Sequence, residues 1–415
     1  MVGSIKKILI GIMMNAKTRD FPLYPKEVTN DFLSKCFGES VISFELDTSM
    51  TAGGVLADAF RVFNIRYDKV NDLPTSCFVK CTKEIPEVVE LCLATQVYAK
   101  EVYFYSTLIE KVRDVIRVPE CYGIFKDEDD EECKEFCLVL EDFDQDNWMP
   151  FDQFDNPMDF EDTAMLMRDL GSFHAACWNE PVSDQPGLGH YRAHWQSLND
   201  SFWDEEGTAW DQVIPKWEEV YGEDLLSLVD SEVKETILKI NAIYTSDNGK
   251  KIQENLIKEL QKRPRTITHG DARGNNIFKS SDGRTIGIID WQMWAAGPAS
   301  NEFSQLWFNS YSLESGMIHK LNELTHIYYD SLTGSNSEIK NSYPFEQLLD
   351  DTKLIFINMW IQYIGFTLGS IEGYKDPELK KSKDNWREMM KRNMETVHYS
   401  GCLESFEKFI AQSKL

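Results

Sequence analysis

Around residues 59–67 the apolar side chains Phe60, Val62, Ile65 and Tyr67 are separated by Arg61, Asn64 and Arg66. That period of about two is the mark of a half-buried strand. Asn71, Asp72 and Pro74 break the pattern, and Cys77-Phe78-Val79-Lys80-Cys81 resumes it. Leu91, Ala94, Tyr98, Val102, Tyr105 and Ile109 then recur at helical spacing, which predicts a helix over 88–112. Residues 116–125 and 136–140 read as two more strands. The acidic run at 127–132 between them repels itself and is expected to form a solvated hairpin loop.

From residue 160 the pattern becomes helical. Ala164, Met167, Leu170, Phe173 and Cys177 fall on one face, more helix is expected within 225–260, and residues 354–366 are apolar nearly all round, as in a buried helix. One β interruption stands inside this half, at 265–291. There Thr266-Ile267-Thr268, Ile277-Phe278 and residues 285–289 surround an Asp282-Gly283 turn signal. The chain therefore reads as an α+β protein in two parts, an N-terminal lobe over 1–143 and a helical C-terminal lobe over 144–415. No internal repeat is visible.

At 415 residues the chain is long enough for two lobes. Its 43 Lys+Arg against 69 Asp+Glu give a net charge of −26. Such a surface repels phosphate backbones and anionic lipid, so neither nucleic acid nor membrane is expected as a partner. Nine cysteines are scattered along the chain, and the pairs Cys77/Cys81 and Cys133/Cys137 lack C-x-x-C spacing. Reduced thiols are expected, not zinc ligands. Lys6-Lys7 followed by residues 8–14 looks faintly like a signal peptide, but Gly11 interrupts the run and no small-x-small site follows. A cytoplasmic protein, monomer or homodimer, is the expectation.

The chemistry concentrates in the β interruption. It reads His269-Gly270-Asp271-Ala272-Arg273-Gly274-Asn275-Asn276, followed after the turn by Ile288-Ile289-Asp290-Trp291-Gln292. Asp271, Asn276 and Asp290 would converge at one end of a hairpin. Any one of them alone most often makes a turn. Together they offer magnesium two hard oxygen ligands, Asn276 and Asp290, and leave Asp271 to accept a proton from an attacking hydroxyl.

The segment resembles the catalytic and metal-binding motifs of the choline/aminoglycoside phosphotransferase superfamily, which shares the protein-kinase-like fold. The doubled Asn275-Asn276 and the Asp290-Trp291-Gln292 ending are most similar to its ecdysteroid-kinase-like branch. The resemblance implies a bilobal fold, with a small N-terminal sheet lobe carrying one helix and a large, mainly helical C-terminal lobe. It implies Asp271 as catalytic base and Asn276 and Asp290 as magnesium ligands, with His269 supporting the loop. A kinase fold also requires a strand Lys and a helix Glu to hold the ATP phosphates, and Lys80 and Glu101 occupy those places. Gly53-Gly54 lies where a phosphate-covering loop belongs, though Asp58 stands where the family commonly shows a Ser. Leu140-Glu141 is similar to the segment whose backbone receives adenine, and Leu170 to Ala176 resembles a family helix in which His174 is structural. After the metal Asp the family reads G-x-P-x-x-D-L. This chain reads Gly297-Pro298-Ala299-Ser300-Asn301-Glu302-Phe303, so Asn301 stands where an Asp braces the catalytic loop. The similarity runs from about residue 51 to residue 310.

Other constellations are weaker. His190 and His194 lack the Glu of an H-E-x-x-H site, Gly249-Lys250-Lys251 is no Walker A, and the tryptophans between 178 and 217 read as core before they read as a cavity lining. The resulting expectation is an ATP- and magnesium-dependent kinase for a hydroxyl of a small metabolite of steroid, amino-alcohol or aminoglycoside type. The alternative is a catalytically silent kinase fold serving as a binding or regulatory module, for which Asn301 and the poor glycine loop speak.

Overall fold

A computed structural model describes residues 19–47, 56–69, 72–126, 133–144, 146–182, 202–204 and 207–413. The acidic 127–132 run, Gly53, Gly54, His190 and His194 lie outside the described residues. Contacts divide the chain into two compact units, Met1–Ala94 with Glu120–Asp142, and Thr95–Pro119 with Phe143–Leu415. Residues 95–119, read from sequence as part of the first lobe, thus group with the second.

The first unit is a five-stranded antiparallel sheet in the order β1-β2-β3-β5-β4. Its strands are β1 (Val41–Asp47), β2 (Ala57–Tyr67), β3 (Cys77–Thr82), β4 (Cys121–Lys126) and β5 (Phe136–Glu141). Val62, Val79, Cys81 and Val139 bury one face against Phe32 and Leu33 of the helix Asn30–Phe37. That helix starts where the Thr29 hydroxyl accepts from the Phe32 N–H at 3.1 Å and stops at Gly38, φ 69°. Neither it nor β1 stood out in the sequence, because β1 is an edge strand with mostly solvent-facing residues. β4 begins at Cys121, five residues later than the pattern suggested. All nine cysteines are free, and burial pushes the Cys36 and Cys81 thiols up to about 12.

In the second unit, the expected helix over 88–112 is interrupted. Pro86–Ala94 stays with the sheet, Gln96 adopts φ 56°, and Val97–Tyr103 restarts, continuing through one π-turn to Val112. This second piece packs on the residues that follow the catalytic motif. The Phe104 and Trp291 rings stack at 4.0 Å and 8°, and the Trp294 indole N–H donates to the Lys100 carbonyl at 2.6 Å.

The remainder of this unit is mainly helical around Phe345–Ser370, whose residues from Leu354 to Ile364 are all buried. By length and composition this helix could cross a membrane, but its apolar window is largely covered by the rest of the unit. Trp210 and Trp217 are core residues. Trp203–Asp204 (β7) and Gly207–Thr208 (β8) form a short ribbon. The β interruption is two small sheets. β10 (Ile277–Ser280) lies between β11 (Ile286–Ile288) and β6 (Trp148–Pro150), while β9 (Thr266–Thr268) pairs antiparallel with β12 (Ala295–Gly297). Gly283, φ 72°, makes the β10–β11 turn.

Helix Phe160–Ala176, started by Asp159 accepting from the Asp162 N–H at 2.9 Å, packs tightly on Leu321–Ser335. At Gly171 a Cβ would stand 2.6 Å from the Tyr328 carbonyl oxygen and 2.7 Å from Ser331 Cβ. Gly171→Ala is therefore expected to destabilise the protein by about 1–3 kcal/mol, read as a lowered denaturation midpoint. An unchanged midpoint would mean that these helices separate without loss.

Candidate active site

The chain leaves β9 at Thr268, turns through residues 269–276 and re-enters β10. Gly270 makes the turn possible. Its φ is +82°, and a Cβ there would come within 2.4 Å of the Met293 carbonyl. His269 ties the two ends of the motif together. Its Nδ1 accepts from the Asp271 N–H at 3.2 Å and its Nε2 donates to the Ile289 carbonyl at 2.8 Å, which fixes the neutral Nε2–H tautomer. The Ile289 N–H in turn donates to the Asn276 carbonyl at 2.9 Å. Asp290 follows in the left-handed region, φ 67° and ψ 59°, a conformation costing a non-glycine residue about 1–2 kcal/mol. Strain held next to a polar cluster is a common feature of functional sites.

Asp271 has two unequal oxygens. Its Oδ2 accepts from the Asn276 Nδ2 at 3.0 Å and faces the Arg273 Nε at 3.3 Å. Its Oδ1 has no partner among the described residues. The same Asn276 amide also holds the Asp271 carbonyl at 2.9 Å. Burial pushes the Asp271 carboxyl up to about 7; the Asp290 charge adds to this, and Arg273 and Asn276 oppose it. Asp290 accepts from the Gln292 side-chain amide at 3.1 Å.

These donors fit magnesium. The Asp290 charge raises the proton affinity of Asp271, a repulsion a dication would offset, and Asn276 and Asp290 supply an amide oxygen and a carboxylate. Among the described residues no group of three His, Cys, Asp or Glu side chains could hold a metal. Water and phosphate oxygens would complete its shell, the usual arrangement for magnesium with nucleotides.

The loop hangs on a residue that sequence reading passed over. Glu302, 2% exposed, accepts from the His269 N–H at 2.6 Å, the Gly270 N–H at 3.3 Å and the His174 Nε2 at 3.3 Å. His174, fully buried, meets the Tyr328 hydroxyl through Nδ1 at 2.6 Å. Asn301, expected as the brace, makes no side-chain hydrogen bond among the described residues. The reason is a one-residue register difference. Counted from Gly297 the family's acidic position falls on Glu302; counted from Pro298 it falls on Asn301. The charge on the brace is thus present, and Glu302 is held well in the ionised range by these donors despite its burial.

Three further anchors were also missed. The Gly274 N–H donates to the Ser310 hydroxyl at 2.9 Å, the Asn275 amide donates to Asp152 at 3.1 Å, and the fully buried Arg392 donates to the Phe308 and Tyr311 carbonyls and to Gln153. Arg392 thereby caps the C-terminal end of the helix Glu302–Asn309 that carries the brace. These contacts join residues from 36 to 239 positions apart and leave no local pattern. The other nominated residues lie in separate units. Lys80 sits on the central strand β3 and is 9% exposed; Leu140 and Glu141 end β5, where Glu141 accepts from the Glu120 N–H at 3.0 Å. Glu101, 1% exposed, lies on Val97–Tyr103 in the second unit.

The ecdysteroid kinase-like family matches residues 60–340. No curated protein sequence matches. Similar solved structures include choline kinase from Cryptosporidium parvum Iowa II, at 15% identity over 99% of this chain and 98% of that one, TM-score 0.41. Plasmodium vivax ethanolamine kinase is 13% identical over 98% and 96%, TM-score 0.40. Streptococcus pneumoniae choline kinase LicA is 13% identical over 86% and 93%, TM-score 0.40.

The brace makes a prediction. Glu302→Gln leaves one backbone donor facing an NH2 group and is expected to destabilise by about 1–3 kcal/mol at neutral pH, whereas Asn301→Ala changes stability by less than about 0.5 kcal/mol. Because folding lowers the Glu302 pKa below its usual 4.5, its contribution is complete above 4.5, declines below it, and is gone once the pH has fallen through the lowered folded value. Denaturation midpoints between pH 7 and 3 should therefore converge for Glu302→Gln and wild type at the acid end. A larger effect from Asn301→Ala would return the brace to that residue.

Proposed function

The chain belongs to the ecdysteroid kinase-like family and is a phosphotransferase acting on an alcohol group, and on that premise we propose that it moves the γ-phosphate of ATP to a hydroxyl of a small metabolite, with Asp271 as base. The observation that carries this reading is the asymmetry of Asp271. Asn276 and Arg273 hold Oδ2, and Oδ1 is left for the acceptor.

The acceptor hydroxyl would donate to Oδ1, which orients its lone pair and takes its proton as the new O–P bond forms. Transition states of this kind are loose, so positioning and charge neutralisation supply most of the rate. Asn276 and Asp290 would hold magnesium, which when bound neutralises phosphate charge. Lys80 and Glu101 are proposed to hold the α/β-phosphates, Gly53 and Gly54 to cover them, and the Leu140-Glu141 backbone to receive adenine.

A neutral acceptor suits this site better than a cationic one. Arg273 offsets part of the negative charge beside the base, which weakens the attraction for choline or an aminoglycoside. Close enough to Asp271 and Arg273 to feel their charges is Tyr363, whose ring neighbours Phe366 at 6.2 Å and Trp386 at 6.3 Å. Phe366 is 42% exposed, so this aromatic patch is open to an apolar body such as a steroid.

The test is transfer of labelled γ-phosphate from magnesium-ATP to a panel of choline, ethanolamine, aminoglycosides and sterols. Label is expected in a neutral alcohol, with the rate reduced about 10²- to 10⁴-fold by Asp271→Ala and magnesium-dependent turnover abolished by Asp290→Ala. Product formed equally by wild type and Asp271→Ala would refute the role of the base. A wild-type protein that fails to bind magnesium-ATP would favour the silent module.

A further inference from the structure

We infer that Arg273 is a further catalytic residue, whose guanidinium faces the phosphoryl group during transfer and neutralises part of its charge. The inference rests on the kinase reading of this site.

Arg273 is fixed by its backbone and open at its tip. Its N–H donates to the Asp271 carbonyl at 2.9 Å and its carbonyl accepts from the Asn276 N–H at 2.8 Å. The stem leads to Nε, 3.3 Å from Asp271 Oδ2. Beyond Nε the two terminal nitrogens have no partner among the described residues, and the side chain is 43% exposed against 17% for Asp271.

An arginine needed only to hold Asp271 would be redundant, because Asn276 already donates to the same oxygen. It would also be counterproductive, since a cation beside a base weakens its hold on a proton. The arrangement makes chemical sense if the charge acts on the other reactant. An acceptor oxygen about 2.8 Å from Oδ1 places the phosphorus roughly 3–3.5 Å farther on. The guanidinium, anchored on the opposite oxygen of the same carboxylate, can then reach an equatorial phosphoryl oxygen with its free N–H groups. Such charge-assisted bonds are strongest to an anion held in a fixed place. Arg392 is no substitute, because it is fully buried and its donors go to protein carbonyls and Gln153.

The step balances without a proton from arginine. The acceptor O–P bond forms, the bond from the γ-phosphorus to the bridging oxygen breaks, ADP leaves with that electron pair, and the acceptor proton passes to Asp271. Arg273 contributes charge and hydrogen bonds only.

The experiment is calorimetric titration of the full chain with magnesium-ADP, alone and with fluoroaluminate, a mimic of the phosphoryl group in transfer. Wild type is expected to bind at least about 100-fold more tightly when fluoroaluminate is present. Arg273→Met should keep its affinity for magnesium-ADP within about twofold and lose at least about tenfold of the enhancement, and Arg273→Lys should recover part of it. Full enhancement in Arg273→Met overturns the inference, as does a wild type that binds magnesium-ADP with no enhancement. Equal loss of both affinities in Arg273→Met overturns it as well, and marks a structural residue. Absence of magnesium-ADP binding in wild type refutes the kinase reading, and the inference with it.

Discussion

A buried carboxylate cannot be left without donors, and in this protein that requirement organises the catalytic loop. Ionised Glu302 sits where water cannot reach it, and uncompensated it would cost several kcal/mol. Its donors are the two backbone N–H groups that start the loop and one imidazole. Satisfying one charge therefore fixes the direction in which the chain leaves β9. Arg392, at the other end of the helix bearing Glu302, saturates carbonyls that would otherwise face the interior unpaired.

Once that direction is set, the reactive groups are positioned by short covalent tethers. His269, Asp271, Arg273 and Asn276 span eight residues and close a ring of hydrogen bonds among themselves and with Ile289. The closed ring leaves one carboxylate oxygen and the end of one guanidinium unused. A loop whose backbone is pinned in this way and whose remaining groups carry opposite charge is equipped to receive a hydroxyl on one side and an anion on the other.

The second unit also takes in a helix that sequence order places among the strands of the first. Val97–Tyr103 carries Glu101, and it belongs with the catalytic hairpin because Phe104 stacks on Trp291 and the Lys100 carbonyl accepts from Trp294. Both tryptophans are fully buried, so the aromatic area they contribute outweighs the single break at Gln96 that separates this helix from Pro86–Ala94.

Local pattern by itself determined a good deal of this protein. β2, β3 and β5, the helix Phe160–Ala176 and the buried helix around residues 354–366 all follow from side-chain period, since a face that must be buried repeats every two or every three to four residues. Asp271, Asn276 and Asp290 were nominated together because they lie within twenty residues around a turn. The tertiary structure decided what no period encodes. It set the asymmetry of Asp271, the open end of Arg273 and the unit to which Val97–Val112 belongs, and it chose Glu302 over its neighbour Asn301 as the brace. The choice between those two turns on which way a helix is rotated when it packs. That rotation is set by contacts with Tyr328, His174 and Arg392, which are distant in the chain and adjacent only after folding.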